Sequence, residues 1–371
     1  MDFPFPVAPV SEGAANLLVP DVARRKGPGT AGPWPFYNPT MAVNRDLSAI
    51  VLAKWPGPLG SVLDGLAATG AWGIRMALET RADRVTFNDW SPEATRLIPE
   101  NIRRNGLVAS AQRGDLRSFL GEGRYDFVDV DPFGPPTPFL ASVFDGVKGS
   151  AGIGITATDT AVLCGTYPRA CEKRYGARPL RSPQGAEIGL RIMIGYCARI
   201  AEERDLRIRP ILAFSAEHFL RALVMVSSGS ASAPLGLVAR GASAGLIPAT
   251  AANHDAIGPL WLGPLGDSAV VRELQPSGWT SVSSARLLSL LKTESEMPPF
   301  FVTTDELAAR EHRPPPKLDR FIDGLRAIGH RATRTHFHPR GVKTDAPSRE
   351  CARLFRDLSP TGSMGDSGPA S

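Results

Sequence analysis

Cysteine is scarce in this chain and never closely paired. Cys164, Cys171, Cys197 and Cys351 are the whole complement, and no two stand in a CxxC spacing. That usage does not fit a secreted disulfide framework, so the thiols are expected to be reduced and the compartment cytoplasmic. Long apolar runs are also missing. No stretch approaches the roughly 18 apolar residues a spanning helix needs, and MDFPFPVAPVSEG at the start lacks a basic region followed by an apolar run. No membrane role is expected. Neither sign of charge dominates strongly: 42 Lys and Arg against 37 Asp and Glu leave a net +5, compatible with a polyanionic partner but not diagnostic of one.

What is present is enough chain for two folded units, since 371 residues exceed one ordinary compact domain. The 34 Pro and 37 Gly imply many turns, and 43% hydrophobic with 21% charged residues is a globular balance. No internal repeat occurs. From Ser61 to Thr158 short apolar runs alternate with helical patterns, the signature of βαβ units and a parallel sheet. The strand candidates are SVLDGL, RVTFND, AQRGD, YDFVDVD and GIGITATD. The clearest helix runs from Pro92 to Asn105, with Ser91 as cap and Ala94, Leu97, Ile98 and Ile102 on one face. A long helical region follows Cys164, with Ile188, Ile192, Gly195 and Arg199 at helical intervals. RPILAFS and FLRALVMVS then supply a sixth and a seventh strand around the turn at Ala216 to His218. Ser, Gly and Ala from Ser227 to Ala233 read as a boundary, giving expected units 1–228 and 229–358. The small, polar stretch 359–371 is expected to be a disordered tail.

The first chemical segment is VLDGLAATGAWGIR, Val62 to Arg75, an apolar strand entering a small-residue turn and then a helix. Such a turn lets backbone approach a ligand at a helix N-terminus, whether a nucleotide phosphate or the methionine end of S-adenosylmethionine (SAM). SAM is favoured. Leu66 and Ala68 stand with Gly70 where a dinucleotide fingerprint wants three glycines, which also disfavours a nicotinamide dehydrogenase. Asp64 sits where class I methyltransferases keep a carboxylate near the methionine amine. Asp89 ends the next strand, where it can accept both ribose hydroxyls. Asp115 ends the third, where it can accept from the adenine amine beside the Leu116 N–H. Arg45 and Arg75 are candidates for the methionine carboxylate.

The fourth strand ends in VDVDPFG, a variant of the Asp/Asn-Pro-Pro-aromatic motif of enzymes that methylate exocyclic amines. An aromatic amine is a poor nucleophile because its lone pair is delocalised into the ring. A carboxylate at Asp131 that accepts an amine hydrogen both polarises the N–H bond and aims the lone pair. Phe133 can stack on an extruded base. Asp129, two residues earlier on the same strand face, admits a paired-carboxylate role or a structural one, and the structural reading is preferred.

Six blocks extend the pattern: FYNPTMAVNRDLSAIVL, VLDGLAATGAWGIR, DFVDVDPFGPPTPFL, TATDTAVLCGTYPRACEKRYGARPLR, GPLWLGPLGD and THFHPRGVKTDAP. In order and over nearly the whole length, the chain resembles the tRNA guanine-26 N2-dimethyltransferase family. The resemblance implies an α/β fold: a class I (Rossmann-like) methyltransferase seven-stranded sheet whose last strand enters antiparallel, with a smaller α+β C-terminal tRNA-binding domain. It implies SAM as cofactor, tRNA as partner and transfer of one or two methyl groups to guanosine N2. Arg45, Arg75, Asp89, Asp115 and Leu116 then fall on SAM contacts and Asp131 on the acid/base position. Phe133 with Phe36 or Tyr37 would sandwich the guanine, and Glu12 to Pro20 resembles the element covering the site. A monomer is expected.

The chain also departs from the family. Many members carry two CxxC pairs before the GPLWLGPL block, whereas this interval holds no cysteine, so no tetrathiolate zinc site can form there. Pro135 replaces a usual Ser. His330, His336 and His338 lie in an Arg-rich stretch without matching carboxylate or thiol spacing, and no metal is expected. Arg334, His336, Arg340 and Lys343, with Arg320, Arg326 and Arg331, read instead as a basic surface for tRNA phosphates. The alternatives are a non-catalytic RNA-binding protein on a methyltransferase fold, or an amine methyltransferase acting on another nucleic acid or on protein.

Overall fold

In the computed structural model, residues 3–21, 32–120, 125–229, 232–241 and 245–360 are described. An N-terminal hairpin of β1 (Val7–Glu12) and β2 (Ala15–Pro20) precedes α1 (Ala42–Ala53). Then come β3 (Val62–Asp64), α2 (Ala71–Glu79), β4 (Val85–Asp89), α3 (Pro92–Arg104), β5 (Ser110–Arg113), α4 (Leu116–Phe119) and β6 (Tyr125–Val130). They are followed by α5 (Thr137–Gly146), β7 (Val147–Ala157), α6 (Thr160–Leu163), α7 (Pro168–Tyr175), α8 (Gly185–Glu202), β8 (Leu206–Ala216) and β9 (Phe219–Ser228).

These seven strands after the hairpin form one sheet in the order β5-β4-β3-β6-β7-β9-β8, with β9 antiparallel to both neighbours and the others parallel. The expected methyltransferase sheet is therefore present. Its central strands β3, β4 and β6 are buried along almost their whole length because helices cover both faces. The predicted α3 forms as read: Ser91 caps it by accepting from the Ala94 N–H at 3.3 Å, and Ala94, Leu97, Ile98 and Ile102 are its buried face.

The remaining chain builds a small sheet of β10 (Leu235–Arg240), β11 (Leu246–Ala249) and β12 (Ile257–Trp261), then α9 (Ser268–Glu273) and α10 (Val282–Glu294). Last come β13 (Val302–Thr303), α11 (Thr304–Glu311), α12 (Leu318–Ala327), β14 (Ala332–Thr335), β15 (His338–Thr344) and α13 (Ser348–Leu358). Burial here departs from the expected division at 229. Val238, Ile257, Leu260 and Trp261 share the core of α5 and α8, whereas Val271, Leu274, Leu288 and Leu291 complete the core of α1 and α2 on the other face of the sheet. A separate core begins only at Val302 and ends at Phe355. The Ser/Gly/Ala stretch marks where the chain leaves the large sheet, but not where burial against it stops. The proposed tail lies almost wholly outside the described residues. Among those described, no helix is long and apolar enough to cross a membrane.

Candidate active site

The ends of β3, β4 and β6 converge through backbone hydrogen bonds. Gly65 N–H donates to the Asp129 carbonyl at 3.0 Å, and Ala67 N–H donates to the Asn88 carbonyl at 2.9 Å. Ala68 (φ +49°) and Gly70 (φ +78°) turn the chain into α2 in the left-handed region, where Gly70 carries no steric cost. Asp64 Oδ2 accepts the Gly73 N–H at 2.9 Å; a Cβ on Gly73 would stand 2.4 Å from the Phe87 ring. Asp89 accepts from Ala68 N–H at 2.8 Å and Ser91 N–H at 2.9 Å, and Asn88 Nδ2 ties the Gly65 and Gly114 carbonyls together. Asp115 lies at the exposed mouth, capping α4 through Arg117 N–H at 3.0 Å and clasped by the Arg117 guanidinium. The Leu116 side chain is buried beside it.

Burial pushes the Asp64 carboxyl well above the usual range, and repulsion from Asp129, Asp131 and Asp89 adds to it against the pull of the Gly73 N–H. Burial likewise raises Asp89, against the N–H groups of Ser91, Ala68 and Trp90. Such a set of carboxylates gains by receiving a cation. The sulfonium and ammonium of SAM fit that demand.

Asp131 follows β6 and is half-buried. Asn44 Nδ2 stands 3.4 Å from its Oδ2 and 3.3 Å from Thr156 Oγ1, which also receives Arg221 Nη1 at 3.0 Å. Arg221 is fully buried, bonded to Ser48 and ion-paired with Asp129. Asp129 therefore takes the structural role preferred from the sequence; burial pushes it up to about 6 while Arg221 pulls it down. Burial also raises Asp131, against the charges of Arg221 and Arg45 and the Thr156 hydrogen bond. The loop is stapled to the end of β7, with Gly134 N–H donating to Thr158 Oγ1 at 2.6 Å and Thr158 N–H to the Gly134 carbonyl at 3.1 Å. Phe133 is 45% exposed, and its ring meets that of Phe36 edge-on, centroids 4.9 Å apart and planes at 72°.

Two expected placements differ. The Tyr37 hydroxyl donates to Glu12 Oε2 at 2.8 Å and its ring lies under the Arg45 guanidinium, so Phe36 is the aromatic that faces Phe133. Arg75 is 1% exposed and meets Glu79 at 2.7 Å, Asp46 at 2.7 Å and Glu12 at 3.1 Å, which leaves it little capacity for a ligand carboxylate. Arg45 is held by Glu12 through bonds of 2.5 and 2.6 Å and by the Asn38 carbonyl at 3.0 Å. Sequence reading missed Asn44 and Thr156 beside the Asp131 carboxylate. Asn44 stands beside Arg45 in the NRD motif, which was the available signal.

Residues 14–237 and 246–356 match the family model for N2,N2-dimethylguanosine tRNA methyltransferase. The chain belongs to this family. A tRNA (guanine(26)-N(2))-dimethyltransferase of Thermococcus kodakarensis is 39% identical over 381 residues, covering 94% of this chain and 99% of its own. One from Thermoplasma acidophilum is 35% identical, covering 94% and 97%. The solved structure of Trm1 from Pyrococcus horikoshii in complex with S-adenosyl-L-methionine superposes with a TM-score of 0.84 at 33% identity, covering 94% of this chain and 99% of that one.

In this member of the dimethylguanosine family, the interval without cysteines is the β10–β12 sheet, held by apolar side chains against α8. The expected basic C-terminal surface needs correction. Lys343 is buried with its Nζ 2.8 Å from Glu187, and His336 is buried against Glu294 at 2.8 Å while its Nε2 accepts the Ser215 N–H. Both join the C-terminal unit to the catalytic one and cannot meet phosphate. Arg334, Arg340 and Arg331 are exposed but paired with Asp319, Asp305 and Asp345. His330 contacts Glu350 and His338 stacks near Phe301, so the three histidines serve separate partners.

Proposed function

We infer that this protein is a SAM-dependent tRNA (guanine(26)-N(2))-dimethyltransferase in which Asp131 accepts the amine proton and the guanine lies between Phe36 and Phe133. The observation that carries the reading is the half-buried Asp131, steadied by Asn44 and bordered by the Phe36–Phe133 pair. SAM supplies a methyl group on a positively charged sulfur, so that one N–C bond forms as one S–C bond breaks. Asp131 takes the hydrogen that N2 must lose and passes it to solvent. A raised carboxyl pKa makes it a stronger base, and Arg221 and Arg45 keep it ionised.

Entry of a base requires the two rings to part. Their edge contact is worth about 0.5–1.5 kcal/mol and base extrusion costs a few more. Stacking returns about 1–3 kcal/mol per base, so phosphate contacts elsewhere must contribute the remainder. The intact carboxylate set at the strand ends argues against a decayed, non-catalytic RNA binder. The test is incubation of tRNA transcripts with labelled SAM, followed by nucleoside analysis and positional mapping. N2-methylated guanosine at position 26, lost when that guanosine is replaced by adenosine, is expected; label at another position or on another substrate class would defeat the reading.

A further inference from the structure

With Lys343 and His336 buried and Arg331, Arg334 and Arg340 each paired with an aspartate, the phosphates of the substrate need a further grip, and the catalytic unit offers one. We propose that α7 and the segment after it form the docking strip for the tRNA backbone beside the target base, an inference that rests on tRNA being the substrate. Arg169 and Lys173 lie one turn apart on α7, both exposed, and Arg178, Arg181 and Arg240 continue the exposed line onto β10. The Arg240 guanidinium donates to the Arg181 carbonyl at 3.3 Å, and that of Arg178 to the His254 carbonyl at 2.8 Å. Among the described residues none of these five cations is ion-paired with a carboxylate. Glu172 is the exposed acid within the helix, and Asp159 is engaged by Arg174 at 3.1 Å and the Tyr175 hydroxyl at 2.8 Å.

Those two bonds of Asp159 also fix where the strip lies. Asp159 directly follows Thr158, which is hydrogen-bonded to Gly134 in the loop of Asp131 and Phe133. Eight residues of helix extend about 12 Å from that point. Tyr167, 59% exposed at the start of α7, adds an aromatic face to the strip. Cations without acid partners release the most counterions from a polyanion, because no internal pair must first be broken. Contacts of this kind hold the backbone without reading sequence.

The experiment compares wild-type protein with Arg169→Ala/Lys173→Ala and Arg334→Ala/Arg340→Ala in tRNA binding across a salt series, with SAM affinity and methylation measured alongside. The α7 variant should bind tRNA about tenfold or more weakly, and its slope of log affinity against log salt should fall by roughly 2, near one for each phosphate no longer neutralised. SAM affinity should hold, and the Arg334/Arg340 variant should lose less. Unchanged affinity and slope in an α7 variant that still methylates tRNA would overturn the strip and leave the activity standing. Wild-type protein that neither binds nor methylates tRNA would overturn both.

Discussion

Glu12 of the hairpin and Arg45 of α1 share two hydrogen bonds, 2.5 and 2.6 Å long, with Tyr37 adding a third to the same carboxylate. Although burial works against it, Arg45, Tyr37 and Arg75 hold the Glu12 carboxyl below its usual range. A carboxylate thus occupies the arginine expected to bind the methionine carboxylate, and it belongs to the N-terminal hairpin.

Glu12→Gln should therefore lower the melting temperature of the ligand-free protein, because Arg45 is left without its anionic partner in a largely buried place. Saturating SAM should recover more stability in the variant than in wild type, as the methionine carboxylate replaces the missing charge. Thermal unfolding with and without SAM measures both. An equal SAM-induced shift in the two proteins would separate Glu12 from the cofactor.

Phe36→Ala should weaken productive tRNA use by roughly 5- to 150-fold, the equivalent of about 1–3 kcal/mol of base stacking, with SAM affinity retained. Tyr37→Phe should do the reverse in kind, leaving tRNA handling near wild type while loosening the hairpin that Glu12 anchors. Steady-state kinetics in tRNA and SAM separately distinguish them.

Lys343→Met should unfold more easily, and its loss in tRNA affinity should be no more than that instability explains. Burial would raise Glu187, but Lys343, Arg191 and the Phe300 N–H hold it down at about 2. A depressed carboxyl contributes stability that is complete above its unfolded value of 4.5 and disappears as pH falls through about 2. Wild type should accordingly lose stability across that acid window. Melting temperature against pH checks the window; a flat wild-type profile there would contradict the pairing.

Much of the active site was legible because its chemistry demands fixed residue types at strand ends: Asp64, Asp89 and Asp131 each terminate an apolar run. Partners far apart in sequence were not. Lys343 lies 156 residues from Glu187, and nothing local distinguishes it from a solvated lysine. Arg75 reads as a free guanidinium until Glu12 and Asp46 are brought against it by the hairpin and α1. The boundary at Ser227 to Ala233 was visible as composition, while the return of β10–β12 onto α8 depends on apolar residues that any small sheet would carry.

The pH dependence of methylation should show an acid limb above the range of an ordinary aspartate, since the role proposed for Asp131 requires it ionised and burial raises it. Asn44→Ala removes a donor to that anion and should move the limb to higher pH. A limb unmoved by the substitution would show that Asn44 does not stabilise the ionised carboxylate.

Single-turnover methylation of tRNA by Asp131→Asn, with SAM binding measured on the same preparation, tests the central claim most directly. Loss of the proton acceptor should slow the chemical step by about 10²–10⁴-fold while SAM affinity stays near that of wild type. A variant that methylates guanosine at the wild-type rate would contradict the role of Asp131.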